Sequence, residues 1–417
     1  IDDDGNGYVD DFIGWDCSGY EGGTDNNPKP PSGVSNGGTW AHGTHVAGLL
    51  SATTNNSTGI SSAAFNCSIM SVKVSTGEQS YPYITDGYDG ILYAAKAGFY
   101  AGDFAIINNS WGGTGYSQYE QATINIAYDD YNAVIIAAGG NGDEDSWGEI
   151  EQAHYPSSYD NVISVCPLGY NNIWNHWGTY HETIDIASPG ENIRSTKIGT
   201  GYTNWDGSSM AAPIVGSVVG LMKSYHPNWS NVQLETMLLG TADKNLYNVN
   251  SEAYLQGKLG TGSVDALASI TTDLFPFFEL ASLEIITNTA NNQIFPGDQI
   301  EVLAILFNNP DWGAAINVSG NISVIEQNSN ISILSGTVDF NDAAPGDALL
   351  NELEPFLIQF GANSPIGDVE FQLNLSSNQS ANISHNQTVN FVLSVSENLI
   401  ISGDINQDEL INVLDIV

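Results

Sequence analysis

The sequence predicts an α/β fold, a three-layer parallel sheet with helices on both faces, followed by an all-β sandwich domain and a short, truncated calcium-loop module. Three observations lead to this prediction. Val- and Ile-rich runs alternate with helix-length segments as far as Asp265, short alternating runs follow from about Leu280 to Val395, and the chain ends in the acidic stretch "SGDINQDELINVLDIV". The predicted domains are residues 1–272, 279–397 and 400–417.

Five runs of the first domain have the composition of buried strands: "CSIMSVKV", "FAIINNS", "AVIIAAGGN", "NVISVC" and "TIDIASPG". Their apolar residues are largely continuous, which is typical of parallel strands covered on both faces. Helix-length segments separate several of them, notably Ile84 to Phe99 and Tyr116 to Tyr131. We therefore expect strands joined by helices in this domain.

The later runs, such as "QIEVLAILFNN", "DVEFQLNLSS" and "QTVNFVLSVS", alternate polar and apolar residues between clusters of Asn, Gly, Pro and Ser. That alternation is typical of antiparallel strands with one buried face. The second domain is therefore predicted to be a β-sandwich.

The charge balance is strongly acidic. The 417 residues include 48 Asp and Glu but only eight Lys and Arg, for a net charge of -40, and no Lys or Arg follows Lys258. Such a surface repels nucleic acid and anionic membranes, and no apolar run reaches the ~20 residues of a membrane helix. These features exclude nucleic-acid and membrane partners and favour a soluble protein that works in salty or calcium-containing water.

Three cysteines, Cys17, Cys67 and Cys166, form no even disulfide framework. Cys67 and Cys166 lie in the apolar runs "NCSIMSVKV" and "NVISVCPLG". We expect both to be thiols packed in buried strands.

Three stretches of the first domain have the composition of catalytic parts. "AHGTHVAGLLSA" places His42 at the start of a helix, and "AVIIAAGGNGD" places Asn141 just after a buried strand. "WDGSSMAAPIVGSVVGLM" places Ser209 at the N-terminus of a helix that is apolar all round, with Pro213 in its first turn. The free N–H groups there favour negative charge beside the serine, and a carboxamide can donate to an oxyanion. Each stretch alone could equally be a helix start, a cap or a satisfied histidine.

Together and in this order, the stretches resemble the subtilisin-like serine proteases over residues 1 to 270. "HGTHVAG" matches the family's histidine box, and "GSSMAAP" matches its serine box with Ser208 in place of the usual threonine. The resemblance implies that His42 is the general base, Ser209 the nucleophile and Asn141 the oxyanion donor. It implies a secreted enzyme that hydrolyses the peptide bonds of extracellular proteins through an acyl-enzyme.

The stretch "NNSWGG" falls where the family binds the substrate backbone, which makes Ser110, Trp111 and Gly112 the substrate-binding residues that the resemblance implies. Trp111 stands where the family commonly has a smaller apolar residue. It either narrows a subsite or packs on the edge of the sheet, and the sequence leaves both open.

The third member of the triad is missing. The family's aspartate ends a buried strand in an Asp-Thr-Gly or Asp-Ser-Gly context before the histidine box, and neither tripeptide occurs here. Asp10 and Asp11 lie at a suitable distance before His42, but only Tyr8 and Val9 precede them after "DDDGNG", which is no buried strand. We expect the aspartate upstream of Ile1 and the chain by itself to be nearly inactive. The alternative is a catalytically inactive scaffold or binding module.

Two competing motifs are weaker. "GVSNG", residues 33–37, has the letters of an esterase nucleophile elbow but follows "NPKPP", so we interpret it as a loop. His42 and His45 lack the glutamate of a zinc protease site.

Two loops have the residue types of calcium sites, because calcium prefers six to eight oxygen ligands. The C-terminal "DINQDELINVLD" resembles the first calcium repeat of dockerin modules, which dock onto cohesin partners, although Glu409 replaces the usual glycine. Its candidate ligands are Asp404, Asn406, Asp408, Asn412 and Asp415, with the carbonyl of Leu410. The alternative is a solvated acidic tail.

The opening "IDDDGNGYVDDFI" alternates oxygen-bearing residues in a similar way, with Gly7 at the turn and Ile13 where a closing carboxylate would stand. Its candidate ligands are Asp2, Asp4, Asn6 and Asp10, with the carbonyl of Tyr8. The alternative is a simple acidic turn. Structural calcium is the predicted cofactor, and no organic cofactor is expected.

Overall fold

The computed structural model describes residues 1–19, 23–76, 83–142, 148–288, 292–326, 330–380 and 383–397. The chain divides into two compact units, Ile1–Thr271 and Thr272–Val417.

The first unit alternates short strands with helices. Its α-helices are α1 His42–Ser51, α2 Gly87–Tyr100, α3 Gln118–Asn125, α4 Ser208–Tyr225, α5 Asn231–Gly240, α6 Leu246–Val249 and α7 Ala266–Thr271. Its strands are β1 Gly14–Asp16, β2 Ser71–Lys73, β3 Ser75–Thr76, β4 Tyr83–Ile84, β5 Ile106–Asn109, β6 Val134–Ala138, β7 Ile150–Glu151, β8 Ile163–Leu168, β9 Thr179–Tyr180, β10 Ile186–Pro189, β11 Ile193–Thr196 and β12 Tyr202–Trp205.

A four-stranded parallel sheet in the order β10-β8-β6-β5 forms the centre of this unit. Strand β6 is buried along its whole length. Ile135 and Ala137 pack in a core with residues of α2 and α3, while Ile136 approaches Gly216 of α4 on the other face. Helices therefore cover both faces, which confirms the predicted α/β fold and explains why the strand sequences are continuously apolar.

The predicted elements are confirmed with small shifts in their bounds. Each of the five Val- and Ile-rich runs contains a strand, and the segment from Ile84 contains α2. The segment from Tyr116 contains α3, followed by the π-helical turn Ile126–Asp130. "GVSNG" lies in a loop, as expected.

Strands β1 and β2 form a separate parallel pair. A cavity of about 820 Å³ is lined by residues of β2, α2, β5 and α4, among them Val72, Ile91, Ile107 and Gly216. Strand β5 has only β6 as a strand neighbour, and β2 has only β1, within the described ranges. The cavity thus lies beside the two unpaired parallel edges.

The antiparallel hairpin of β11 and β12 holds helix α1. Ser195 Oγ donates to the carbonyl oxygen of His45 at 2.6 Å, and Thr196 Oγ1 donates to that of Thr44 at 2.7 Å. Gly48 permits this approach, because a Cβ there would lie 2.4 Å from Ser195 Oγ. The start of α1 is therefore fixed to the strand pair that leads into α4.

The second unit consists of antiparallel strands. They are β13 Phe278–Ile286, β14 Gln299–Asn308, β15 Ala315–Val324, β16 Ile331–Ser335, β17 Thr337–Ala343, β18 Ala348–Leu350, β19 Phe356–Phe360, β20 Gly367–Ser380 and β21 Ile383–Val395. One sheet has five strands, in the order β13-β14-β19-β16 with β18 also paired to β14, and the other has four, in the order β17-β15-β20-β21. Both contribute to one hydrophobic core, for example through Phe356 and Phe371. The prediction of a second, β-rich domain is confirmed.

The prediction for the cysteines is only half right. All three thiols are free, and Cys166 is buried in β8, but Cys67 is exposed and precedes the strand. The apolar run was misleading because β2 begins only at Ser71.

The predicted C-terminal calcium repeat lies outside the described residues, as do its candidate ligands Asp404, Asn406, Asp408, Asn412 and Asp415. No helix in the described ranges combines the length and apolar character needed to cross a membrane.

Candidate active site

Ser209 is the second residue of α4, as the sequence predicts. Gly207 precedes the helix with a φ of +148°, a backbone conformation that glycine adopts easily. The N-terminal N–H groups of the helix favour negative charge near Ser209. A serine held there is well placed to become a nucleophile.

The position of Pro213 corrects the sequence prediction. Pro213 is the sixth residue of α4 and not part of its first turn. It follows Ser209 by four residues and has no N–H, so it removes the helical hydrogen bond that the carbonyl oxygen of Ser209 would accept. That carbonyl instead accepts a hydrogen bond from Ser110 Oγ at 2.8 Å.

The Ser209 hydroxyl donates to the carbonyl oxygen of Ser110 at 3.2 Å. Ser110 follows β5, so two reciprocal bonds join the edge of the central sheet to the start of α4. No hydrogen bond joins Ser209 Oγ to the His42 ring in the described part of the chain. The Ser209 hydroxyl is therefore hydrogen-bonded to the edge of the sheet and not to His42, the predicted base.

Asn141 is oriented by Ser208. Its Oδ1 accepts from the backbone N–H of Ser208 at 2.8 Å and from Ser208 Oγ at 2.9 Å, while Ser208 Oγ accepts from the N–H of Gly140 at 3.2 Å. With Oδ1 engaged, Nδ2 is the end that can donate into the cavity that Asn141 lines. The substitution of serine for the family's threonine keeps the hydroxyl that holds this amide.

A cavity of about 310 Å³ contains most of the predicted residues, because Ser209, Asn141, Trp111 and Gly112 all line it. The sequence motifs did not indicate the other polar side chains that line it, which are those of Thr114, Gln152, His154 and Thr179. These residues come from several separate segments, and no local motif marks them.

His154 lies close to Gly112, in the loop that follows β5. A Cβ on Gly112 would lie 2.2 Å from His154 Cε1, and His154 Nδ1 is 3.1 Å from the carbonyl oxygen of Ala138. Glycine at position 112 is therefore required for the imidazole to pack here.

Trp111 packs against helix α2 and lines the same cavity as Ser209. Its indole covers Gly87 at the start of α2, where a Cβ would lie 2.4 Å from Cη2, and its ring meets Tyr88 edge-on at 5.5 Å. It also lines the cavity beside Ser209. The indole thus packs against α2 and forms one wall of the cavity.

His42 is the first residue of α1, as predicted. Its ring is nearly parallel to the indole of Trp205, with centroids 6.1 Å apart, and the fully buried His45 stacks on the same indole at 4.7 Å. Burial, and to a lesser degree His45, lowers the pKa of His42 to about 4. The imidazole is therefore neutral near pH 7, the state that a general base requires.

No described carboxylate forms a hydrogen bond with His42. Asp11 Oδ2 accepts from Tyr93 Oη at 2.8 Å, and Asp10 is exposed. Asp16 forms a buried ion pair with Lys73 at 2.6 Å. None of the three orients the histidine.

In the opening loop, the predicted calcium ligands Asp2 and Asp4 form hydrogen bonds within the loop. Asp2 accepts from the N–H groups of Gly5 and Gly7, and Asp4 accepts from Asn6. Within the described ranges, no three or more His, Cys, Asp or Glu side chains are grouped as metal ligands. The loop has the donor types for calcium, but its carboxylates are bonded to the loop itself.

Taken together, a serine at a helix N-terminus, a carboxamide donor beside it and a neutral histidine on a neighbouring helix have the build of a serine hydrolase site. Residues 16–262 match the subtilase family, Peptidase_S8. This chain therefore belongs to the subtilase family.

Two relatives in sequence, thermitase and subtilisin NAT, agree with that assignment. The chain is 36% identical over 231 residues to thermitase from Thermoactinomyces vulgaris, an alignment that covers 55% of this chain and 73% of thermitase. It is 32% identical over 219 residues to subtilisin NAT from Bacillus subtilis subsp. natto, which covers 52% of this chain and 54% of that protein. A solved protease structure from Pseudoalteromonas arctica is 28% identical, with a TM-score of 0.49 and coverage of 62% of this chain and 82% of that one.

Proposed function

We propose that this chain is the main part of a secreted serine endopeptidase that hydrolyses peptide bonds of extracellular proteins. His42 accepts the proton of Ser209, the alkoxide attacks the substrate carbonyl, and Asn141 Nδ2 with the N–H of Ser209 stabilises the oxyanion. Water then hydrolyses the acyl-enzyme. The observation that carries the proposal is the cavity shared by Ser209 and Asn141, in which Ser208 fixes the carboxamide.

Substrate binding is assigned to the loop after β5. Ser110, Trp111 and Gly112 would contact the substrate backbone, and the cavity of about 310 Å³ would take one side chain. Protein and peptide substrates are the proposed partners.

The triad's carboxylate is proposed to lie N-terminal to Ile1, at the end of a strand that fills the cavity of about 820 Å³. One observation supports this location: the parallel strands β2 and β5 both have a free edge there among the described residues.

The test compares the chain alone with a form extended by its upstream segment. We expect the extended form to hydrolyse a peptide faster by on the order of 10⁴, because an unoriented histidine costs about that much. Ser209→Ala is the control for both forms. Robust hydrolysis by the chain alone, abolished by Ser209→Ala, would show that the carboxylate lies elsewhere.

The second candidate function is an inactive protease-like scaffold. It is favoured by the Ser209 hydroxyl, which bonds to Ser110, and by the lack of a described carboxylate on His42. A fluorophosphonate probe that fails to label Ser209 in both forms would support the scaffold over the enzyme.

Structural calcium and a cohesin-like partner are proposed for the termini. The proposal rests on residue types, since the carboxylates of the opening loop are bonded within the loop. Calorimetric titration with calcium should give heat that Asp2→Ala/Asp4→Ala or Asp404→Ala/Asp408→Ala removes. Unchanged thermal stability with and without chelator would argue against both sites.

A further inference from the structure

The helix that carries Ser209 has a broken hydrogen bond at the nucleophile. Pro213 cannot donate to the carbonyl oxygen of Ser209, four residues earlier. A buried helical carbonyl without a partner costs free energy and leaves the local backbone free to tilt. At this position the backbone sets the direction of the nucleophilic hydroxyl.

Two side chains from the sheet replace that bond. Ser110 Oγ donates to the carbonyl oxygen of Ser209 at 2.8 Å, and Asn108 Nδ2 donates to Ser110 Oγ at 2.8 Å. Asn108 lies within β5, opposite Ile136 of the buried strand β6, so the relay begins on the rigid centre of the unit. Since Asn108 fixes the hydroxyl of Ser110, the proton of that hydroxyl is available to Ser209.

We propose that Asn108 and Ser110 are positioning residues, which take the place of the hydrogen bond that Pro213 removes and so fix the backbone of Ser209. The catalytic role of Ser209 in this inference rests on the proposed function. The other end of the Asn108 amide, Oδ1, is buried and lacks a hydrogen-bond partner in the described chain, so the amide is held on one side only.

A double-mutant cycle between Ser110→Ala and Pro213→Ala in the full chain tests the replacement. In the Pro213 background, Ser110→Ala should lower the unfolding midpoint and slow fluorophosphonate labelling of Ser209 about tenfold, the equivalent of one lost hydrogen bond. In the Pro213→Ala background, the new N–H can bond to the Ser209 carbonyl. There Ser110→Ala should leave the unfolding midpoint unchanged and slow the labelling of Ser209 by less than about twofold.

Two further variants separate positioning from a general loss of stability. Ser110→Thr keeps a hydroxyl and should restore most of the labelling rate. Ser217→Ala is the matched control, because Ser217 Oγ bonds within α4 to the carbonyl of Ile214 and takes no part in the relay. It should leave labelling unchanged in both backgrounds.

Equal effects of Ser110→Ala with Pro213 and with Ala at position 213 would overturn the proposal. Unfolding midpoints can be measured on an inactive protein. They therefore show whether the N–H at position 213 replaces the Ser110 hydrogen bond even if no variant reacts with the probe. Absence of labelling in both the chain and its extended form would count against the proposed function, whereas labelling without coupling would count against the relay alone.

Discussion

The two units of this chain differ in where they bury polar atoms. Of the six buried side-chain polar atoms that lack a partner in the described ranges, five belong to the first unit and only Ser377 Oγ to the second. The first-unit atoms are His45 Nδ1, Asn108 Oδ1, Ser164 Oγ, Trp174 Nε1 and Ser188 Oγ. A buried polar atom without a hydrogen-bond partner lowers the stability of the fold. Several such atoms are therefore expected near a functional site, or where a further segment of chain would supply the partners.

The second unit shows the opposite character. Its core is formed by apolar residues of two antiparallel sheets, and it contains no Lys or Arg. These features indicate that the second unit is stabilised mainly by the burial of apolar surface. We therefore expect changes in the first unit to affect the reactivity of Ser209, and changes in the second unit to affect only stability. The following variants test this expectation.

The largest effect should come from deleting the nucleophile. Ser209→Ala should abolish fluorophosphonate labelling completely, because the hydroxyl of Ser208, the other serine that lines this cavity, is bonded to Asn141 Oδ1. Removal of the second unit after Thr271 should change the labelling rate by less than about twofold. A large loss on that truncation would break the division between the units.

Phe371→Ala should destabilise the second unit by about 3–5 kcal/mol, because the ring is fully buried and stacks on Phe391 at 5.3 Å. Denaturant unfolding should show an earlier transition, while Ser209 labelling stays unchanged. Leu353→Ala, at a side chain that is 96% exposed, is the control and should cost less than about 0.5 kcal/mol.

Asn141→Ala should reduce the turnover of the extended, active form about 10²–10³-fold with little change in KM, which is the range known for removing such a donor from a subtilisin. The loss should be large because Ser208 preorganises the carboxamide. Asn204→Ala, at an exposed residue of β12, should leave turnover unchanged. An equal rise in KM would indicate a role in substrate binding instead.

Asp185→Asn should stabilise the first unit by about 4 kcal/mol at pH 8 and very little at pH 4. Burial, partly offset by the hydrogen bond from the N–H of Ser164 and reinforced by Glu235, raises the pKa of Asp185 to about 7. The folded state therefore holds this proton more tightly than the unfolded state, so stability falls as pH rises from about 4 to 7. Asparagine does not ionise and can still accept from the N–H of Ser164. Denaturant unfolding of the unmodified chain and of Asp185→Asn at both pH values measures the difference.

Much of the fold could be predicted because local patterns agreed with the final environment. The apolar run at "AVIIAAGGN" became the fully buried β6, and the short motifs placed His42 and Ser209 at the starts of their helices. The prediction for Cys67 was wrong because an apolar run does not show where its strand begins. The cavity walls Thr114, His154 and Thr179 could not be predicted, since they meet only after separate segments fold together.

By itself, the sequence determined the alternation of strands and helices, the family, and which serine, histidine and asparagine stand at helix starts and strand ends. Periodicity and short motifs carry that information because they act within a few residues. The tertiary structure alone decided that Ser110 bonds to the carbonyl that Pro213 leaves without a helical partner, and that Ser208 holds Asn141. Those contacts join residues 67 to 99 positions apart, so only the packing of the sheet against α4 brings their atoms within hydrogen-bond distance.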